Sequence, residues 1–470
     1  MHPKLLRCIV YCSLFLGFIF ASSSRALAAT KMVKDINPGG NSAIEYLTNV
    51  NGTLFFRAYD AIHGHELWKS DGTESGTVMV KNIHSTSSGN PAYITNVQGS
   101  AFFRADDGTN GVELWKSDGT EAGTVMVRNI NWTAGASSYP EELTEMGGIL
   151  FFSADNGLHG RELWRSDGTR DGTLIVKNIN PAGSTGLMQW FTVVGGNMLF
   201  FEADDGTYGA ELWKSDGIMG GTTQMVKDIN PDAAHSQPSY LTDIGGTLFF
   251  RAESPGIGHE LWKSDGTTDG TVLVKNLNQA GDGNPYSITD GGSVFYFGAE
   301  GMSIGYELWK SDGTDSGTQV VKDINPCWTC DSSPSDLIFV NGILFFSADD
   351  GTNGTELWKS DGTEPGTQMV KNIHPSGSSD PNWITELNGR IYFSADDGVH
   401  GTELWRSDGT SAGTVMIKDL NPGEWSSYPG DLLAMNDTLF FICNDGTHGE
   451  ELWSHRPSTS PGTHLLLLSD

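Results

Sequence analysis

Short apolar runs recur along this chain at a regular distance, parted by polar turn residues. In the fifth such unit Tyr240-Leu241-Thr242 is followed by Gly245-Gly246 and then Thr247-Leu248-Phe249-Phe250-Arg251. A polar, Gly-containing loop leads to Glu260-Leu261-Trp262-Lys263, the turn Ser264-Asp265-Gly266-Thr267, and Thr271-Val272-Leu273-Val274-Lys275. The runs are short, rich in β-branched and aromatic residues, and bounded by Gly, Asn and Asp, which predicts four strands per unit. Sustained 3.6-residue periodicity is missing after the first 28 residues, so no helix is expected there. Runs such as Leu54-Phe55-Phe56 and Ile343-Leu344-Phe345-Phe346 are apolar at consecutive positions. Successive strand residues point to opposite faces, so both faces of these sheets must be covered.

The unit occurs nine times. Glu-Leu-Trp begins at Glu66, Glu113, Glu162, Glu211, Glu260, Glu307, Glu356, Glu403 and Glu451, at intervals of 47 to 49 residues. In the first eight copies Lys or Arg follows, then Ser-Asp-Gly; seven continue with Thr, and the fourth has Ile218. The ninth departs with Ser454-His455-Arg456-Pro457. Four short strands repeated at about 48 residues predict an all-β fold, a β-propeller in which each four-stranded blade covers its neighbours. The expected domain is 29–470, with repeat cores at 44–84, 93–131, 140–180, 189–230, 238–278, 286–325, 334–374, 382–421 and 429–470. A single nine-bladed ring is favoured over two smaller propellers or an open array, because no linker divides the repeats. A solenoid would have shorter coils. Two segments compete to close the ring: the lone strand Lys31–Ile36, which matches Gln224–Ile229, and His464–Leu468.

Residues 1–28 read as a secretory signal peptide. Lys4 and Arg7 precede an apolar run from Cys8 to Ala21, and Ala26-Leu27-Ala28 is an A-x-A cleavage pattern. The run is too short to span a bilayer. The expectation is a secreted, extracellular or surface protein with no membrane span after cleavage, acting as a monomer. The full chain has 58 acidic and 28 basic residues, a net charge of −30. Removing Lys4, Arg7 and Arg25 with the signal gives 58 against 25, or −33. Such a surface excludes a general nucleic-acid partner, since phosphate requires basic side chains. Cys327 and Cys330 remain, and an oxidising compartment predicts a local disulfide between them. Cys443 lies in an apolar strand and reads as buried.

The Glu-Leu-Trp-Lys-Ser-Asp-Gly-Thr element resembles the ELWxxDGT repeat family of bacterial secreted proteins, over about residues 31–470. The resemblance implies an exported repeat protein and assigns no reaction.

Features present in nearly every unit read as scaffold. These are Trp68, Trp115, Trp164, Trp213, Trp262, Trp309, Trp358, Trp405 and Trp453, as packing between blades. Asp71, Asp118, Asp167, Asp216, Asp265, Asp312, Asp361 and Asp408 precede a turn Gly, where Asp bonds backbone N–H groups. The loop between second and third strands carries Asp106, Asp107, Asp155, Asp204, Asp205, Asp349, Asp350, Asp396, Asp397 and Asp445. Clustered carboxylates with Gly are candidate Ca²⁺ ligands, although Asp-Gly is also an ordinary hairpin signal. His63, His159, His400 and His448 share that loop and read as surface residues. The loop from each fourth strand to the next unit varies most. Trp132, Trp190, Trp328, Trp383 and Trp425 lie in or beside it. Aromatic platforms with neighbouring acids and amides suit sugar rings; the alternative is packing onto their own loops. The motifs G-x-S-x-G and H-E-x-x-H and a phosphate-binding glycine loop are absent from the sequence. The expected function is a non-enzymatic binding propeller for an extracellular glycan or protein, with calcium as the one candidate cofactor. The alternative is an extracellular carbohydrate-active hydrolase or lyase with carboxylates near the central channel.

Overall fold

The computed structural model describes residues 28–458 except 182, 184, 185, 187, 328 and 329. These residues form 36 strands and no helix. The strands make nine four-stranded antiparallel sheets. Blade one consists of Glu45–Val50, Thr53–Asp60, Gly64–Ser70 and Val78–Lys81, from the channel outward. Blades two to eight begin their inner strands at Ala92, Glu141, Gln189, Ser239, Tyr286, Ser335 and Asn382. Each inner strand packs against the next, and that of blade nine, Gly430–Met435, packs against that of blade one. The molecule is therefore one closed nine-bladed propeller, neither two rings nor an open array.

Ring closure uses the N-terminal strand. Ala29–Lys34 pairs antiparallel with the third strand of blade nine, Met32 opposite Trp453. It takes the place that Val272–Lys275 holds in blade five, where Leu273 lies opposite Trp262. Its rival His464–Leu468 and residues 1–27 of the expected signal peptide 1–28 lie outside the described residues. The loss of Ser-Asp-Gly-Thr after Glu451 follows from this closure, because blade nine has no turn to make between its third and fourth strands.

The hydrophobic core is a set of inter-blade layers. Phe55 and Phe56 are adjacent and point to opposite faces, as strand geometry dictates. Phe56 packs with Val33, Phe440 and Leu452 of blade nine, and Phe55 with Phe103 and Trp115 of blade two. The nine Glu-Leu-Trp tryptophans are all buried, each facing the preceding blade's layer.

The rest of the repeated motif ties blades together. Lys214, Lys263, Lys310 and Lys359 each donate to the carbonyl of the turn glycine one blade on, at 2.7–2.8 Å. One such glycine, Gly266, has φ of +86° and lies against the Phe200 ring of blade four, a conformation and a space that exclude larger residues. Asp265 Oδ1 accepts the Thr267 N–H (2.8 Å) and hydroxyl (2.7 Å), and the Thr267 hydroxyl accepts the Gly270 N–H. In blade four, where Ile218 replaces Thr, Asp216 instead accepts the N–H groups of Ile218 and Thr222. Outer-strand lysines add a second set of clasps, such as Lys227 to the Thr271 carbonyl at 2.7 Å.

Candidate functional site

Chain direction fixes which groups share a face. Inner strands start, and second strands end, on the face that carries the Asp-Gly loops and the connections between blades. The Ser-Asp-Gly-Thr turns lie on the opposite face. The second residue of every inner strand has a left-handed backbone: Tyr46, Tyr93, Glu142, Trp190, Tyr240, Ser287, Asp336, Trp383 and Asp431, with φ from 48° to 62°. None is glycine, and left-handed backbone in a residue with a Cβ costs about 1–2 kcal/mol. The cause is a bulge: the pairing with the second strand slips in each blade, as between Gln189 and Thr192. The bulge aims nine side chains at the rim of the channel.

These nine equivalent positions form a girdle around the channel, and some touch their neighbours. The Tyr46 and Tyr93 rings are 6.0 Å apart, and those of Trp190 and Tyr240 are 5.0 Å apart. Glu142 Oε2 accepts the Phe191 N–H of the next blade at 3.3 Å. Burial raises the pKa of Glu142, Asp336 and Asp431 above the usual carboxylate range, and Glu45 adds to the shift at Asp431. Arg57, Arg104 and Arg251 of the second strands stack 5.3, 4.6 and 5.0 Å from the ring centres of Tyr46, Tyr93 and Tyr240. Two cavities open along the girdle. One, of about 450 Å³, is lined by Glu45, Tyr46, Trp383 and Asp431 at the junction of blades eight, nine and one. The other, of about 500 Å³ between blades four and five, is lined by Trp190, Glu202, Asp204, His235, Gln237 and Arg251 among others. Burial pushes Glu202 up to about 7, with the buried Glu211 contributing.

No family model and no curated protein matches this sequence. Among solved structures the chain is similar to puromycin hydrolase, at 13% identity and TM-score 0.37, covering 76% of this chain and 58% of that one. A mutant of puromycin hydrolase complexed with PGG aligns at 15% identity and TM-score 0.38, covering 68% and 54%. A structure from a mechanistic study of two prolyl endopeptidases aligns at 13% and 0.41, covering 68% and 50%. This chain thus spans little more than half of each. Likeness at this level is too weak to carry an activity across.

The sequence candidates fall into distinct places. Asp107 and Asp350 each accept two backbone N–H groups of their own loop on Oδ1 and an Asn amide on Oδ2. Asp397 and Asp445 do the same with His400 and His448 in place of Asn. Asp205 accepts the N–H groups of Thr207 and Tyr208. Asp106, Asp155, Asp204, Asp349 and Asp396 each accept the N–H of a loop glycine. Among the described residues no three His, Cys, Asp or Glu side chains gather as a metal-ligand group. Trp132 and Trp425 are about two-thirds exposed in connecting loops. Trp190 and Trp383 belong to inner strands and the girdle rather than to loops. Trp328 lies outside the described residues. Cys327 and Cys330 are disulfide-bonded, and Cys443 is a buried free thiol.

One role was missed. Every Glu of Glu-Leu-Trp is fully buried and accepts main-chain N–H groups from the segment that leaves the fourth strand. Glu113 takes Ile130 N–H (2.9 Å), Asn131 N–H (3.2 Å) and the Ser138 hydroxyl (2.6 Å). Glu451 does the same across the ring closure with Ile36, Asn37 and Ser42. Its signal in sequence was recurrence of an acid in all nine units, inside a strand covered on both faces.

Proposed function

We propose that this protein is an exported, non-enzymatic binding propeller that meets an extracellular glycan or protein on the face carrying the connecting loops. One observation carries the reading. The exposed aromatic residues among those described, Trp132, Tyr139, Tyr208, Trp383, Trp425 and Tyr428, all lie on this face. Among the described residues the opposite face exposes Ile218 and Met219, with Val78, Val125 and Val272 at the starts of outer strands, and no aromatic ring. Aromatic rings left in water on one face of a rigid ring mark a contact surface. The high acidic excess favours neutral or cationic partners. The resemblance to the ELWxxDGT repeat family and the expected signal peptide support export.

The test is a comparison of two multiple variants in binding screens against glycans and extracellular proteins. Trp132→Ala with Trp425→Ala and Tyr428→Ala removes partner binding on this reading, while Ile218→Ser with Met219→Ser retains it. The reverse pattern contradicts the proposal. A hydrolase reading is favoured by one feature only, the Glu202 carboxyl raised to about 7 in a cavity it shares with Asp204. Release of reducing ends from a bound oligosaccharide, lost in Glu202→Gln, would establish it.

A further inference from the structure

Nine blades share one backbone, and the residue opposite the start of the inner strand varies among them, being Ser153, Gly298, Ser347, Ser394 and Ile442 in blades three and six to nine. Opposite the first residue of the inner strand, blades one, two and five place Arg57, Arg104 and Arg251. Blade four places Glu202 there, opposite Gln189. Arg251 of blade five lines the same cavity as Glu202, and Trp190 takes the place of the tyrosines under those arginines. The result is a cavity of about 500 Å³, within the usual range for small-ligand sites.

We infer that this cavity between blades four and five is a saccharide subsite, in which Trp190 is the platform for one pyranose ring and Glu202, Gln237 and His235 form the polar rim. The inference rests on the binding reading above and names its ligand class. A pyranose has an apolar C–H face and a rim of hydroxyls that both donate and accept. The site matches both parts. Trp190 is half-buried against Tyr240 and held by its left-handed backbone, so little freedom is lost on binding. His235 Nδ1 accepts the Ala210 N–H at 2.8 Å, which puts the proton of the neutral ring on Nε2 as a donor. Gln189 and Gln237 supply amides, each with donor and acceptor. Glu202, shared between protonated and ionised forms near neutrality, both donates and accepts. Arg251 is turned toward Ser239, its Nε donating to the hydroxyl at 3.0 Å, and stacks on Tyr240. With Glu202 and Asp204 in the wall and a net charge of −30, uronic or sulfated sugars are disfavoured and neutral hexoses or pentoses fit.

The test is titration calorimetry of the mature chain at pH 7 with five neutral hexaoses: cello-, laminari-, manno-, malto- and xylohexaose. At least one binds. Trp190→Ala weakens it about tenfold or more, the size of one lost hot-spot contact. Trp190→Tyr stays within about threefold of wild type, which separates a lost platform from a misfolded blade. Glu202→Ala weakens binding about threefold or more, and Ile218→Ser, on the opposite face, has less than a twofold effect. Binding to none of the five, or binding indifferent to Trp190→Ala and Glu202→Ala, overturns the subsite. If binding is instead lost in the Trp132, Trp425, Tyr428 variant, the face reading stands and only this subsite falls.

Discussion

Two sets of nine positions are equivalent by symmetry and have opposite fates. The Glu of Glu-Leu-Trp is the same residue in every blade and is sealed from water. The second residue of the inner strand has the same strained backbone in every blade, yet is Tyr, Glu, Trp, Ser or Asp. The first set faces a problem that never changes, since the chain leaving each outer strand must find acceptors for its N–H groups before entering the next blade. The second set faces the channel mouth, where backbone geometry is fixed and side-chain chemistry is free. Uniform chemistry marks the scaffold, and uniform geometry with varied chemistry is where the proposed recognition would sit.

Changes in the first set break this contrast most sharply. Glu113→Ala leaves two buried N–H groups and the Ser138 hydroxyl without their acceptor. It is expected to destabilise by at least about 3 kcal/mol, given about 1–3 kcal/mol per buried orphan. Glu113→Gln keeps one acceptor oxygen and loses less. Urea unfolding of both measures the difference, and equal small losses would refute the role.

The next effect is on pH. Burial raises Glu66, Glu113, Glu162, Glu211, Glu260, Glu307 and Glu451 to about 7, and Glu356 and Glu403 in the same direction. Between the unfolded value of 4.5 and about 7 the folded state holds more protons, so stability falls as pH rises through that window. His455 has the opposite sign: burial lowers it to about 4, so its contribution is lost as pH falls from 6.5. The turn aspartates, such as Asp265, are held below 3.8 by Thr267 and lose stability only on further acidification. Nine carboxyls outweigh one imidazole, so thermal melts should peak near about pH 5 and decline toward pH 8. A maximum at pH 8 would count against the buried carboxylates.

A smaller loss, about 1 kcal/mol, is expected for Lys263→Met, which removes one clasp onto the Gly313 carbonyl of blade six. The smallest effect is expected from calcium. The loop aspartates already accept hydrogen bonds within their own turns. Replacing EDTA by millimolar CaCl₂ should move the melting temperature by no more than about 1–2 °C, since only a ligand well above its Kd stabilises strongly. A larger rise, not reproduced by magnesium, would make these loops metal sites.

The sequence carried the architecture because period and strand pattern are local. Nine units, four strands each, the buried Trp and the turn Asp could all be placed from repetition and turn chemistry. Ring closure was undecided because Lys31–Ile36 and His464–Leu468 both carry short apolar runs; the first pairs with the strand that holds Trp453. The girdle was hidden for another reason. Its bulge is a slip in register between strands, with no composition of its own, so Trp190 and Trp383 read only as aromatics in or beside the connecting loops. Glu202 was invisible until register placed it opposite Gln189, where three other blades carry arginine.

The most direct test of the division between scaffold and recognition is amide hydrogen exchange with and without a bound neutral hexaose. Slowed exchange is predicted at the starts of the inner strands, around Gln189–Phe191 and Ser239–Leu241, with the Ser-Asp-Gly-Thr turns unchanged. Protection centred on those turns, around Ser264–Thr267 and its repeats, would place recognition on the uniform face and contradict the account.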